Sequence, residues 1–309
     1  MSQSIKTVMV IGASGSVGQP IVDALLAANF TVSVLTRESS TRTFPSTVKV
    51  HPTDYSEASL LKAFHGIGAI VSTIATFSTF LQNAIISTAI AAGVKRFIPS
   101  EYGIDTSLPS IPALLPPAAP KQETVAYLKG RETEIEWTAI CVGAFFDWAF
   151  KIPGLFGWDL KAKKATIFDG GETEYEVTNV AQIGRSVVAV LAPEHLEETK
   201  NKYVYVNSFT LTQNKILGTL ERLTGAKFEV ESAETEELAK FGLEKLRASK
   251  GGEEGVAYKD GDFEVITAAI YGHGGFNNFS RTRGLWNERL GLPVEDFEET
   301  MVRIVRESA

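Results

Sequence analysis

Cysteine is nearly absent from this chain: Cys141 is the single one among 309 residues, which excludes an internal disulfide framework. It lies in the apolar stretch WTAICVGAFF with no histidine close in sequence, and it reads as a small core residue rather than a nucleophile. Histidine is scarce too. His51, His65, His195 and His273 stand far apart without ligand spacing, so no metal site is expected. No run of lysine and arginine occurs and the net charge is −7, so neither nucleic acid nor an anionic membrane is expected as a partner. No apolar run reaches the roughly 18 residues of a membrane-crossing helix. The opening residues, MSQSIKTVMVIG, show no charged n-region, apolar h-region or cleavage site. Together these absences lead to the expectation of a cytoplasmic protein, neither secreted nor membrane-spanning. Nothing repeats at a fixed period, which excludes a solenoid or propeller.

What the chain does have is an apolar fraction of 44%, enough for a large core, and a start punctuated by glycine. The run Val8, Met9, Val10, Ile11 stops at Gly12, and glycines return at Gly15 and Gly18 before the helical spacing of Ile21, Val22, Leu25 and Leu26. This predicts a strand, a tight turn and a helix start. Gly12 lets the backbone reverse, Gly15 removes the Cβ that would block a pyrophosphate, and Gly18 lets the helix pack close on the strand. Gly12, Ser14, Gly15, Ser16, Val17 and Gly18 are therefore candidate contacts to a dinucleotide, through the amides of the helix's first turn. The competing reading is a tight strand-to-helix turn and nothing more.

The second strand, Thr31 to Leu35, ends at Thr36-Arg37. An acid at this place binds the ribose hydroxyls of NAD, whereas a cation accommodates the extra phosphate of NADP, so Arg37 points to NADP(H), with Arg42 as a second contact. Glu38 could serve the hydroxyls instead, and a solvated turn arginine is the plain alternative. Asp54, between a third strand and a helix, either caps that helix or meets the adenine amino group. The continuous apolar strand Ala69 to Ile74 places Thr73, Ile74, Ala75 and Thr76 beside the cofactor ribose. A helix from Thr79 to Ala92 follows, then a strand broken by Pro99 that opens into Ser100, Glu101 and Tyr102.

Residues 104–120 hold five of the twelve prolines and read as a loop over the active-site edge, with no regular helix. Lys121 then opens a helix running through Val125 and Leu128, and a sixth strand, Trp137 to Val142, leads into GAFFDWAF. From about Lys151 the pattern changes to short strands at 165–168 and 174–177 around the turn Asp169 to Gly171. A helix at 180–191 and a strand at 203–208 return to the main sheet. Further helices are expected near 212–223, 234–248 and 294–307, with an exposed turn at 249–255. The fold class is α/β: a Rossmann doubly wound parallel sheet with a smaller α+β substrate-binding lobe. Residues 1–150 form the NADP(H)-binding domain, to which 177–208 return, and 151–309 form the lobe.

For chemistry, a Tyr-x-x-x-Lys pair is absent, because the residue four before Lys121 is Pro117. What remains is Lys121 itself, serving as ribose anchor or general acid, or else a solvated first-turn lysine. Ser100 and Glu101 lack the G-x-S-x-G context of a nucleophile and are placed as loop residues beside the nicotinamide. Tyr102 is the one hydroxyl-bearing aromatic of that loop, a donor or a packing residue. Phe145, Phe146, Trp148, Phe150, Phe156 and Trp158 read either as a wall for a flat apolar substrate or as core, and Phe276, Phe279 and Trp286 carry the same two readings. Ser100, Glu101, Tyr102, Phe146 and Trp148 are the candidate substrate contacts.

In this order, GASGSVG, LTR, RFIPSEYG, a lysine without its tyrosine, TIFDGG and YVNSFTLTQNKIL resemble the isoflavone-reductase-like or NmrA-like branch of atypical short-chain dehydrogenases, with the fungal members nearest in pattern. The resemblance implies NADPH as cofactor, a catalytic lysine at Lys121, and Phe145 as the aromatic beside the nicotinamide. Plant members such as isoflavone, phenylcoumaran benzylic ether and pinoresinol-lariciresinol reductases act on aromatic substrates. This chain departs from them in the proline-rich segment before Lys121 and in Ser16, where an aromatic is usual. The expected function is an NADPH-dependent reductase of a small aromatic or unsaturated metabolite, with Lys121 assisting hydride transfer. The alternative is a non-catalytic NADP(H)-binding redox sensor that acts through a protein partner.

Overall fold

The first strand, β1 (Thr7–Ile11), is apolar along its length because both faces of it are covered. Val8 and Val10 face one core, Met9 and Ile11 the other, as the two-residue period of a strand requires. A computed structural model describes residues 4–248, 260–274 and 276–308, so the turn expected at 249–255 lies outside the described residues. After β1 come α1 (Gly18–Ala27), β2 (Thr31–Arg37), β3 (Lys49–Thr53), α2 (Glu57–Phe64), β4 (Ala69–Ser72), a 3-10 turn at Thr76–Leu81, α3 (Gln82–Ala91) and β5 (Arg96–Ile98). They are followed by α4 (Ile111–Leu114), α5 (Ala119–Lys129), β6 (Glu136–Cys141), β7 (Ala144–Phe145) and α6 (Phe146–Ala149).

The remainder comprises β8 (Trp158–Asp159), β9 (Lys164–Phe168), β10 (Tyr175–Thr178), α7 (Val180–Leu191), β11 (Lys202–Tyr205), β12 (Phe209–Leu211), α8 (Gln213–Thr224), β13 (Glu229–Ala233) and α9 (Thr235–Ala248). It ends with α10 (Asp262–Tyr271), α11 (Phe279–Thr282) and α12 (Phe297–Ser308).

Seven strands form one parallel sheet in the order β11-β6-β5-β4-β1-β2-β3, the doubly wound Rossmann arrangement. The order reverses between β1 and β4, and a ligand crevice belongs above the carboxyl ends of those strands. On one face α1 and α7 bury Ile21, Val22, Leu25, Ile183 and Val187 against the sheet. A Cβ on Gly184 would lie 2.5 Å from the Pro20 carbonyl oxygen, so these two helices meet almost backbone to backbone. On the other face α2, α3 and α5 supply Leu60, Phe64, Ile85, Ile86, Val125 and Leu128. Arg96, 1% exposed, is paired with Glu136 at 2.8 Å and donates to the Leu196 carbonyl at 2.7 Å, tying β5 and β6 to the segment before β11.

Beyond β6 two three-stranded sheets, β12-β10-β7 and β13-β9-β8, enclose a third apolar core with α8, α10 and α12. Phe150, Trp158 and Phe276 belong to it, while Phe279 packs with Cys141 and Tyr205, so the core reading holds for these four aromatics. Trp286 is partly buried against the main core.

Three local expectations need correction. The proline-rich segment is not all loop: α4 and a 3-10 turn at Pro116–Ala118 form within it, each with proline in its first turn, where the missing N–H costs nothing. Asp54 does not cap α2. Ser56 does, accepting from the Ser59 amide, while Asp54 accepts from both the amide and the hydroxyl of Ser56. The third is α10, which lies in a stretch where no element was expected; its β-branched, alanine-rich run DFEVITAAIY has no side-chain cap to mark its start.

Candidate functional site

The glycine turn is built as its spacing requires. Gly12 has φ +83°, and a Cβ there would stand 2.6 Å from the Thr73 carbonyl oxygen. Gly18 touches the turn even more closely, with a Cβ position only 2.2 Å from the Gly12 oxygen. The Gly15 amide closes the turn on that same oxygen at 3.0 Å. Ser14, Gly15 and Ser16 are exposed. Val17, at the N-cap of α1, makes no side-chain cap, and no acidic residue occupies the first turn. The helix therefore offers positive, uncapped amides at an open surface, a cradle that a diphosphate fits.

Around this cradle Thr73 bonds back to Ile11 through both its amide and its hydroxyl, each at 2.8 Å, which fixes the end of β4 against β1. Ile74 continues outward, its carbonyl held by the Ser100 hydroxyl at 2.7 Å, and Ala75 is exposed. Arg37 ends β2 next in the sheet, exposed and without an ion-pair partner among the described residues, near the half-buried Tyr55 phenol. Arg42 and Glu38 are exposed beside it.

On the other side of β4 a cavity of about 160 Å³ opens at the carboxyl ends of β5 and β6. Its walls are mostly apolar: Ile104, Leu115 and Pro117 from the proline-rich segment, Phe145, Trp148 and Phe156 from the chain after β6, and Phe263, Ile266 and Ile270 from α10. Phe145 and Trp148 meet edge to face at 5.9 Å. The polar atoms are few. Thr76, Tyr102 and Thr106 line it, and among the described residues Lys121, from the first turn of α5, is the one charged residue of its wall.

Lys121 is only 8% exposed, and its Nζ donates to the Glu101 carbonyl oxygen at 2.6 Å. Burial pulls its pKa below the ordinary lysine value, against the opposing pull of the Glu101 carboxylate. Tyr102, with φ +29°, has a buried hydroxyl without a hydrogen-bond partner among the described residues, and burial pushes that phenol far up.

The structure thus gathers Lys121, Tyr102, Phe145 and Trp148 around one cavity, while Gly12, Ser14, Gly15, Ser16, Val17, Gly18, Thr73, Ile74 and Ala75 lie at the carboxyl ends of β1 and β4 and the start of α1. Three expected substrate contacts turn elsewhere. Phe146 is 3% exposed and packs on Phe150 and Phe209, because it starts α6 and faces opposite to its neighbour Phe145. Ser100 is buried as a brace under Ile74. Glu101 is 1% exposed, its carboxylate taken by the Thr106 hydroxyl. The α10 wall was missed. Gly261 and Gly272, bracketing an apolar run of helix length, were the signal for it.

The chain matches the model of the NmrA-like family over residues 4–249. It is 35% identical over 305 residues to oxidoreductase aprR of Aspergillus flavus, covering 97% of this chain and 98% of that one. Oxidoreductase poxI of Penicillium oxalicum is 32% identical over 265 residues, or 85% and 81% of the two chains. Among solved structures, the fold matches a binary complex of leucoanthocyanidin reductase with NADPH from Vitis vinifera, with a TM-score of 0.74 at 20% identity over 97% and 99% of the chains. It also matches an isoflavone reductase, with a TM-score of 0.73 at 18% identity over 98% and 100%. With its Rossmann sheet, its glycine cradle and a family match over most of its length, this chain belongs to the NmrA-like family.

Proposed function

We propose that this protein is an NADPH-dependent reductase of a small, uncharged aromatic or unsaturated metabolite. The observation that carries the reading is a lysine ammonium buried in an apolar cavity beside a dinucleotide cradle. The fungal relatives are named oxidoreductases, and a structural neighbour is an NADPH complex, which supports the same reading. In it, residues 1–150 with the return of 177–208 hold the dinucleotide, and the rest of 151–309 closes over the substrate.

Gly12, Ser14, Gly15, Ser16, Val17 and Gly18 would hold the diphosphate, Arg37 the 2′-phosphate, and Thr73, Ile74, Ala75 and Phe145 the nicotinamide end. When bound, the reduced dinucleotide supplies a hydride. The apolar walls exclude water from the reacting centre and favour a flat, uncharged ligand. Lys121 presents a proton where negative charge grows on the substrate, and its lowered pKa makes it a better acid than an exposed lysine. Tyr102 lines the cavity, and its buried hydroxyl, unpartnered among the described residues, would gain a partner from a substrate oxygen that reached it.

The test is NADPH oxidation against a panel of aromatic enones and aldehydes, with cofactor isotherms beside it. Wild type should turn over at least one member. Lys121→Ala should lower kcat about 100-fold or more while leaving NADPH affinity within a few-fold. Undiminished turnover in the variant removes the lysine from the mechanism. No turnover in wild type, with a strong preference for one redox form of the nucleotide, supports the sensor instead.

A further inference from the structure

Around Glu101 and Cys141 lies a group of titratable side chains that the reaction above does not use: Glu101, Asp105, Cys141, Tyr203 and Tyr205. Glu101 is the unusual member. Its carboxylate is almost fully buried; one oxygen accepts from the Thr106 hydroxyl and the other, Oε1, has no hydrogen-bond partner among the described residues. A buried carboxylate with an orphan oxygen is costly unless a nearby cation balances it.

The rest of the group cannot balance Lys121. Asp105 is also buried, but Arg283 holds it at 2.7 Å, and the Tyr205 hydroxyl and the Ser107 amide and hydroxyl donate to it. Its charge is already met. Burial pushes the Cys141 thiol and the Tyr203 and Tyr205 phenols up, so all three stay neutral near pH 7. Burial pushes the Glu101 carboxyl up as well, and the Lys121 ammonium is the largest pull the other way; among the described residues Glu101 is the one acid beside Lys121 without a cation of its own.

The loop between them is braced. The Tyr102 amide donates to Ile140 at 2.9 Å, the Val142 and Gly143 amides both donate to Gly103 at 3.0 Å, and the Asp105 amide donates to Phe276 at 2.8 Å. The carboxylate is therefore carried on a fixed backbone whose own carbonyl binds the lysine.

We propose that Glu101 is a positioning residue that favours the charged form of Lys121 and keeps its ammonium at the wall of the apolar cavity, the two forming a buried pair joined through the Glu101 carbonyl and not by direct contact of ammonium and carboxylate. The proposal rests on the assignment of Lys121 as proton donor, but the pair itself is measurable without turnover.

Protein carrying lysine labelled with ¹³C at Cε reports each ammonium's titration by NMR, and Lys121→Arg assigns the signal. In Glu101→Gln, which keeps the size and the contact to Thr106, the Lys121 midpoint should fall by about one unit or more relative to wild type. Glu101→Asp, which keeps the charge, should restore most of the shift. In the kinetic arm, kcat of Glu101→Gln should lose its alkaline side at correspondingly lower pH, with NADPH affinity within about twofold. An unchanged Lys121 midpoint in a folded Glu101→Gln overturns the proposal. If that variant does not fold, Glu101→Met, uncharged and of similar size, takes its place in the same comparison, and an unchanged Lys121 midpoint there overturns the proposal. Absence of turnover in wild type with the NMR shift intact refutes the reductase reading and leaves the pair standing.

Discussion

At the scale of single residues, the account depends on where two cations sit. Lys121 is buried and its chemistry follows from that: an ammonium with little water around it gives up its proton more readily, and the rate should decline as pH rises through its lowered midpoint. Arg37 is the opposite case, exposed at the tip of β2 with its guanidinium available to a phosphate. Arg37→Glu should weaken NADPH binding about 10-fold or more while sparing NADH, measured by calorimetry on both nucleotides. Equal loss for both would show that this arginine never meets the 2′-phosphate. Both cations were legible in the sequence because each follows a local pattern: the residue after a buried strand, and the first turn of a helix. Glu101 was legible only as a loop residue, since its burial arises when α5, β6 and the loop after β5 meet. Phe145 and Phe146 are adjacent in sequence, and only the register of β7 against β10 decides which one reaches the cavity.

At the scale of elements, the decisive contact is the start of α1 against the end of β1. A methyl group on Gly18 would collide with the Gly12 carbonyl, a backbone atom that cannot rotate away. Gly18→Ala should destabilise the fold by roughly 1–3 kcal/mol, seen as a lower melting temperature, and should abolish nucleotide binding. Unchanged melting and binding would mean that the turn opens freely. Elements with a long single period or a capping signal, such as β1, α1, α7 and α8, could be read directly. Those whose form depends on distant neighbours could not. Prolines argued against any helix in 104–120, yet proline is tolerated in a first turn, and α4 is little more than one turn long. The run that becomes α10 has a strand-like share of valine and isoleucine, and it is helical because its apolar face closes the cavity and the third core together.

At the scale of the whole molecule, the sheet and the third core each bury their own apolar residues, and the cavity lies where the chain passes from β6 into β7 between them. This placement explains why its walls come from four separate stretches and why most of its size and shape were invisible in any one of them. The central proposal belongs to this scale: cradle and cavity would be one site, through which a hydride reaches a substrate held beside Lys121. The most direct measurement is isotope transfer, with NADPH deuterated at the nicotinamide C4 and the product of the panel substrate analysed by mass spectrometry. The account predicts deuterium in the product, lost together with turnover in Lys121→Ala. Nucleotide that binds tightly yet delivers no deuterium to any substrate would contradict it.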